Sequence, residues 1–151
     1  MPAKIQVVEL PLEITETSDI VTAKTTTANI ESELFEIKVP RDAVYVFREN
    51  VDSVTVIPYT NEATPTQITE GQITIYLSDA NKMTKWSLAK APVTAFSEIQ
   101  DKNKLYFWKK SWKATSDQYI LVTLYSSKTA SGSNSKLRIT GIQVIRVPLI
   151  S

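Results

Sequence analysis

The chain has 151 residues and a net charge of +1, and its 42% apolar and 22% charged residues are typical of a soluble globular protein. It contains no cysteine and no histidine. Disulfide frameworks, thiol nucleophiles, histidine-dependent triads and the usual transition-metal sites are therefore excluded. Any catalysis would have to use carboxylates, Lys, Tyr or a bound hard cation.

The N-terminus does not have the features of a targeting segment. Residues 1–10, MPAKIQVVEL, lack the uninterrupted apolar stretch and the small-residue cleavage site of a signal peptide. No run approaches the roughly 20 apolar residues that a membrane helix needs. We therefore expect one domain over residues 1–151, made and kept in a cytoplasm or assembled there. Residues 1–32 are predicted to form an extended arm or an edge segment.

Strand patterns dominate the chain. Short runs rich in β-branched and aromatic residues recur about every ten residues with turn residues between them, which predicts an all-β, two-sheet sandwich of jelly-roll type with seven to nine strands. The runs are Ile5–Leu10, Glu33–Val39, Ala43–Glu49, Ser53–Tyr59, Gln72–Ser78, Lys104–Trp108, Gln118–Ser126 and Leu137–Val147.

The alternation of side chains along these runs predicts which residues are buried, because every second residue of a strand faces the same side of its sheet. The predicted core consists of Val7, Leu10, Phe35, Ile37, Val44, Val46, Val54, Val56, Ile73, Ile75, Phe107, Ile120, Val122, Leu124, Ile142 and Val144.

Helix patterns are sparse. One short helix is predicted within Pro92–Lys102, where proline suits a first turn and Val93 and Phe96 lie at helical spacing. Residues Ser78–Lys90 fit a loop followed by an outward-facing strand.

Two polar stretches are expected to be irregular. Ile14–Ser32 is Thr-rich with few large apolar residues, and Ser126–Lys136 is a Ser/Gly/Asn segment between two strong strands. The second is predicted to be a long hairpin tip, either solvated or carrying contacts. The chain has three glycines, so a Gly-rich phosphate-binding loop is not expected.

The small net charge conceals an asymmetry along the chain. Residues 1–62 carry a net charge of −6 and residues 63–151 a net charge of +7, which sum to +1. Either an acidic face of one copy meets a basic face of the next, or strands from both halves interleave and the charges mix on the surface. We favour interleaving.

The stretch 105–113, LYFWKKSWK, is the most conspicuous run. In a strand, alternate side chains share a face. One face is core-like and carries Leu105, Phe107 and Lys109. The other face would present aromatic rings with an ammonium group between them, from Tyr106, Trp108, Lys110 and Trp112.

Three interpretations of this aromatic strip remain open. The rings could pack at the rim of the core under lysine stems, anchor a protein–protein interface, or stack on sugars or nucleic-acid bases. The modest net charge and the lack of arginine near the strip argue against nucleic acid. Trp86, with Lys85 beside it, repeats the pattern on a smaller scale.

The carboxylates are the remaining catalytic candidates. Glu31, Glu33 and Glu36 cluster in the sequence, but nothing brackets them as a pocket would, and no calcium-loop spacing is present. We interpret them as a solvated charged edge that keeps an exposed strand from pairing with other chains. No catalytic residue, metal site or cofactor is predicted, and the protein is not expected to be an enzyme.

The chain resembles the small jelly-roll capsid and head-decoration proteins of bacterial and archaeal viruses. The features that carry the resemblance are a small strand-rich chain that is rich in Thr and Ser, an extended N-terminal segment and the apolar C-terminal end VIRVPLIS. It spans most of the chain but includes no diagnostic motif, so no site residue is carried over from the family.

The resemblance implies a structural component of a virion, assembled in the host cytoplasm, that associates with copies of itself or with other capsid proteins. Terminal arms could add strands to neighbouring subunits. The alternative is a carbohydrate-binding β-sandwich in which Trp86, Trp108 and Trp112 stack on a glycan.

Overall fold

The computed structural model describes residues 8–47, 53–97 and 112–146. These ranges contain ten strands and one short helix, which confirms the all-β prediction with slightly more strands than the predicted seven to nine. No helix in the described ranges is long and apolar enough to cross a membrane. The strands are β1 (Val8–Thr15), β2 (Val21–Ala23), β3 (Ser32–Lys38), β4 (Ala43–Phe47), β5 (Ser53–Ile57), β6 (Gln72–Ser78), β7 (Lys85–Pro92), β8 (Trp112–Ala114), β9 (Tyr119–Tyr125) and β10 (Lys136–Arg146), and the helix is α1 (Val93–Ser97).

The strands form two antiparallel sheets. Sheet I has the order β1-β10-β4-β8, with β5 also paired to β10, and sheet II has the order β2-β3-β9-β6-β7. Because β4 and β5 pair with successive parts of the long strand β10, they occupy one place in sheet I. Apart from the extra strand β2, each sheet therefore has four places, filled in the order of a jelly roll. The predicted jelly-roll type is confirmed.

Strands from distant parts of the chain lie side by side in both sheets. In sheet II, β3 pairs with β9, and in sheet I, β1 pairs with β10. Acidic residues of β1 and the turn after it thereby lie beside basic residues of β10, as in the ion pairs Glu13–Arg138 and Glu16–Lys136. The predicted interleaving of the two halves is confirmed.

One hydrophobic cluster fills the space between the sheets. Each sheet buries alternate side chains against the other, because an apolar face must be covered. The predicted core residues that are buried as expected are Phe35, Ile37, Val54, Val56, Ile73, Ile75, Ile120, Val122, Leu124 and Val144. The predicted core positions Val7 and Phe107, and the side chains of Leu10 and Ile142, lie outside the described residues.

The prediction of which face of β4 is buried is wrong. Tyr45 and Phe47 are buried in the core, whereas Val44 and Val46 are only partly buried on the opposite face. Both faces of this strand are apolar in sequence, so the alternation does not by itself distinguish them. The larger rings fill the space between the sheets, since they bury more apolar area than valine does.

The predicted helix is confirmed at Val93–Ser97, and it closes one end of the core. Val93 and Phe96 are fully buried. The hydroxyl of Ser97 donates hydrogen bonds to the carbonyl oxygens of Val93 (2.9 Å) and Val56 (3.3 Å). The helix therefore ties sheet II, which it follows directly, to β5 of sheet I.

The segment between β9 and β10 is not a hairpin tip, contrary to the prediction, because the two strands belong to different sheets. Ala130 and Gly132 are buried in it. A side chain at Gly132 would lie 2.6 Å from the carbonyl oxygen of Leu34 and 2.9 Å from the Cβ of Ala23. The polar composition reflects hydrogen bonding to neighbouring loops, such as that of the Thr26 amide to the Ala130 carbonyl (2.9 Å).

The stretch 14–32, expected to be irregular, contains regular structure. It includes the end of β1 at Thr15 and all of β2, joined by the turn 16–20. Within the described part of the chain, β1 is the outer strand of sheet I and β2 is the outer strand of sheet II. The described residues of the predicted arm or edge segment (1–32) therefore include the outer described strand of each sheet.

Truncation of Phe47 should lower the free energy of unfolding by about 3–5 kcal/mol, because Phe47→Ala leaves a cavity between the sheets. The neighbouring Val46→Ala is the matched control and should cost less than about 1.5 kcal/mol, since Val46 is only partly buried. Urea denaturation of both variants measures this. A larger loss for Val46→Ala than for Phe47→Ala would contradict the observed facing of β4.

Candidate functional site

The outer face of sheet II carries the most elaborate charged cluster in the described residues. It is built on β3, where Glu33 pairs with Thr123 but Phe35 pairs with Val122, so that Leu34 is an extra residue in the strand. This β-bulge lets Leu34 and Phe35 both be buried. It also places Glu33 and Glu36 on the same face of the sheet, although they are three residues apart.

The carboxylates are bridged by two lysines. Lys24 lies 3.4 Å from Glu33 and 3.7 Å from Glu36, and Lys82 lies 3.2 Å from Glu33 and also contacts Glu36. The ammonium of Lys82 lies 5.0 Å from the ring centroid of Tyr119, within the range of a cation–π contact. The five side chains form one network that spans β3, β9 and the β6–β7 turn.

The β6–β7 turn presents Lys82 to this network. Lys82 has a φ of 58°, and its amide donates to the carbonyl of Asp79 (3.1 Å). The carboxylate of Asp79 accepts a hydrogen bond from the Met83 amide (2.9 Å). Burial alone would lower the pKa of Lys82, but hydrogen bonds to Glu36 and Glu33 raise that pKa well above its ordinary value. Lys82 therefore stays charged at neutral pH.

A second cluster lies beside the first on the same face. The hydroxyl of Tyr76 donates to Glu31 Oε1 (2.6 Å), which also accepts from the hydroxyl of Thr123 (2.9 Å). The hydrogen bond to Glu31, aided by burial, raises the pKa of Tyr76 above its ordinary value of 10.0. A shallow depression of about 360 Å³ is lined here by Glu31, Ser32, Glu33, Tyr76, Lys85 and Thr123.

The polar groups of these two clusters are partnered with one another. Each carboxylate of Glu31, Glu33 and Glu36 already has a lysine or hydroxyl partner. The raised pKa of Tyr76 keeps its phenol protonated at neutral pH. Among the described residues, no group of three or more acidic side chains is arranged to hold a metal ion.

The predicted role of Glu31, Glu33 and Glu36 as a charged edge is wrong in its placement. The strand β3 lies inside sheet II, between β2 and β9, so Glu33 and Glu36 lie on the outer face of the sheet and not on an exposed edge. The reason is that β2, which the sequence does not indicate as a strand, covers the edge of β3.

The described tryptophans lie in different sheets. Trp86 is in β7, the outer described strand of sheet II, and is 43% exposed. Trp112 is in β8 of sheet I, opposite Phe47, and packs half-buried against the core. The other predicted site residues, Tyr106, Trp108 and Lys110, lie outside the described residues.

Sequence reasoning missed Lys82 and Tyr76. The cluster of glutamates was visible, but their partners lie 45 to 49 residues away in the chain and no local pattern connects them. The residues SDANK before a strand do indicate a turn, and a lysine within it is the only local feature that points to the network.

No protein-family model matches the sequence, and no curated protein matches it. The structure is similar to that of VP17, a capsid protein of bacteriophage P23-77, with a TM-score of 0.68 over 97% of this chain and 100% of VP17 at 8% identity. It is also similar to the complex of VP16 and VP17, the two major capsid proteins of that phage, with a TM-score of 0.65 over 93% of this chain and 100% of the matched chain at 7% identity. At this identity the likeness establishes the fold, and it confirms the predicted resemblance to viral capsid proteins at that level.

Replacing Lys82 by methionine should lower the free energy of unfolding by about 1–2 kcal/mol, because Glu33 and Glu36 then share one cation, Lys24. Lys90→Met is the matched control and should change stability by less than about 0.5 kcal/mol, since Lys90 is exposed and makes no ion pair in the described residues. Equal stability of the two variants in urea denaturation would contradict a stabilising network.

The hydrogen bond from Tyr76 to Glu31 should make stability depend on alkaline pH. Because the pKa of Tyr76 is raised in the folded protein, the unfolded chain releases this proton first as pH rises. The wild type should therefore exceed Tyr76→Phe by about 1 kcal/mol below pH 10, and the advantage should shrink as the pH rises above 10.0.

Urea denaturation at neutral pH and above pH 10 measures this difference. Tyr125→Phe is the control, since Tyr125 lies in the same sheet and is 50% exposed. An advantage over Tyr76→Phe that persists unchanged at alkaline pH would contradict the assignment.

Proposed function

We propose that this chain is a structural component of a virion, a capsid or capsid-decorating protein that acts by associating with copies of itself or with neighbouring capsid proteins. Assembly would take place in the cytoplasm of the host cell. The role requires no catalytic group, and the protein is proposed to act without a cofactor.

The observation that carries this proposal is the match of fold over nearly the whole chain. The fold formed by sheets I and II aligns with that of VP17 over 97% of this chain and all of that chain. A fold alone does not determine function. Here the match covers nearly the whole chain, and the similar structures are named as capsid proteins.

The surface chemistry also supports an assembly role. Large apolar side chains remain exposed in the described residues, notably Met83 at 84% and Trp86 at 43%. They lie close together in the chain, on the β6–β7 turn and the start of β7. Exposed apolar groups of this size are enriched where one protein packs on another.

The carbohydrate-binding alternative has less support. A stacking platform requires aromatic rings that share an open surface. Of the two described tryptophans, Trp86 is exposed and Trp112 packs half-buried against the core. The depression on sheet II has one aromatic wall, Tyr76, whose hydroxyl already binds Glu31.

Molar mass in solution tests the proposal. Size-exclusion chromatography with light scattering, over a range of protein concentration and at about 0.05 M and 0.5 M salt, should reveal oligomers or shells that grow with concentration. Electron microscopy of the largest species should show closed particles or regular sheets.

A monomer at every concentration and salt would contradict self-association. Binding to a preformed shell would then remain as the test of the decorating role, measured by co-sedimentation with that shell. A change in tryptophan fluorescence on titration with glycans would instead favour the carbohydrate-binding alternative.

A further inference from the structure

Leu121 is buried on the outer face of sheet II. It lies in β9 between Ile120 and Val122, which belong to the core cluster, so the side chain of Leu121 points away from the core. Leu121 is fully buried but is not part of that cluster. Groups on the outer face of the sheet must therefore cover it.

The residues paired with Leu121 belong to the two polar clusters of this face. Leu121 pairs with Glu36 of β3 on one side and with Tyr76 of β6 on the other. The side chain of Glu36 is 16% exposed and contacts Lys82. The hydroxyl of Tyr76 donates to Glu31 (2.6 Å). Both neighbours of Leu121 are thus anchored by polar contacts on the outer face.

The side chain of Lys82 crosses the outer face above β9. Lys82 lies in the turn beyond the end of β6, and its ammonium reaches Glu33 and Glu36 in β3, on the far side of β9. The ammonium lies 5.0 Å from the ring centroid of Tyr119, which shares a face of β9 with Leu121. A lysine stem in such a position lies over apolar surface while its charge stays near solvent.

The β6–β7 turn is tied to the rest of the sheet through this one side chain. The amides of Asp79, Lys82 and Met83 all bond within the turn. Among the described residues, the hydrogen bonds and ion pairs of residues 80–84 that reach beyond the turn all come from the Lys82 side chain. Loss of the contacts of Lys82 would therefore free the turn without breaking a strand pair.

The contacts of Lys82 depend on the charge of two carboxylates. The ammonium groups of Lys24 and Lys82 contact the same oxygen, Glu33 Oε1, at 3.4 and 3.2 Å, and both also contact Glu36 Oε1. The four charges balance while both carboxylates are ionised. If both carboxylates take up protons, two ammonium groups remain close together without an anion between them, and they repel each other.

We propose that Lys82 and the β6–β7 turn form a cover over Leu121 that opens in acid. At neutral pH, Glu33 and Glu36 hold the ammonium of Lys82 and the cover is closed. Protonation of both carboxylates releases Lys82, the turn moves away, and Leu121 becomes exposed on the outer face of sheet II. This device is a property of the fold and does not depend on the proposed function.

The carboxylates that contact Lys82 are the groups through which acid acts on the cover. Lysines and tyrosines keep their protons as the pH falls. Glu31 binds hydroxyl groups, and Asp79 binds a backbone amide within the turn. The charged and titratable groups that face the cover are Lys24 after β2, Glu31 before β3, Glu33, Glu36 and Lys38 of β3, Tyr76 of β6, Asp79 of the turn, Lys85 of β7 and Tyr119 of β9.

Thiol labelling at position 121 tests the cover. The chain has no cysteine, so Leu121→Cys introduces a single thiol, which is labelled with 4,4′-dithiodipyridine. Its protection is the labelling rate in urea-unfolded protein divided by the rate in folded protein at the same pH. Adding Glu33→Gln and Glu36→Gln mimics the protonated carboxyls and should lower this protection at least about tenfold at neutral pH. Without those two substitutions, protection should fall as the pH is lowered from neutral to about 4.

Two controls separate opening of the cover from other effects. Glu13→Gln with Glu16→Gln is the matched pair, because it also removes two carboxylates that are paired with cations, in β1 and the turn after it. This pair should leave the protection at position 121 unchanged. Val122→Cys places the thiol in the core between the sheets, where it should stay protected in every variant and in acid.

A loss of protection confined to position 121, caused by the Glu33 and Glu36 substitutions and by acid, supports the cover. Unchanged protection at position 121 in either condition would overturn it. An equal loss at position 122 would overturn it as well, since the whole protein would then be unfolding. An equal loss with the Glu13 and Glu16 substitutions would show a general effect of charge and would also overturn it.

Discussion

The fold depends on one constraint, which is that each sheet has an apolar face that only the other sheet can cover. Sheet I contributes Tyr45, Phe47 and Val56, and sheet II contributes Phe35 and residues of β6 and β9, to a single cluster. Burial of these apolar side chains is the main term that stabilises the fold. The chain has no cysteine, so disulfides do not add to it. The jelly-roll order of strands is consistent with this constraint, because connections that lead from one sheet to the other hold the two apolar faces together.

The segment 126–135 shows how the crossings between sheets are held. Its backbone binds loops on both sides, with Thr26 and Asn61 donating to it. The carboxylate of Glu70 accepts hydrogen bonds from Ser126 (2.8 Å) and from the amide and hydroxyl of Ser127, which lowers the pKa of Glu70. The segment 126–135 leads from one sheet to the other and does not lie in a strand. Its polar groups therefore form hydrogen bonds with neighbouring loops instead of with an adjacent strand.

Glu33 and Glu36, on the outer face of sheet II, are paired with lysines. On the face of sheet II, Lys82 and Lys24 neutralise Glu33 and Glu36, so this region has little left to offer a charged partner. Exposed charges without an ion pair among the described residues lie in turns and loops as well as in β7, as Asp19, Arg41 and Lys90 show. Interleaving of the two halves of the chain brings acidic and basic side chains together, as in the ion pairs of Glu13 with Arg138 and of Glu16 with Lys136.

The alternation and spacing of apolar residues sufficed to predict the all-β class, the jelly-roll type, most of the buried residues in β3, β5, β6 and β9, and the helix near Val93. These properties depend on short-range periodicity and can be recognised in any window of a few residues. The absence of Cys and His from the chain likewise determined which chemistry it cannot perform.

Only the tertiary structure decided which face of β4 is buried, that β9 and β10 lie in different sheets, and that Lys82 bridges Glu33 and Glu36. Each of these depends on a contact between residues far apart in the chain, or on a choice between two apolar faces that the pattern leaves equal. Pairing order is a property of the folded sheets, and the local sequence carries no record of it.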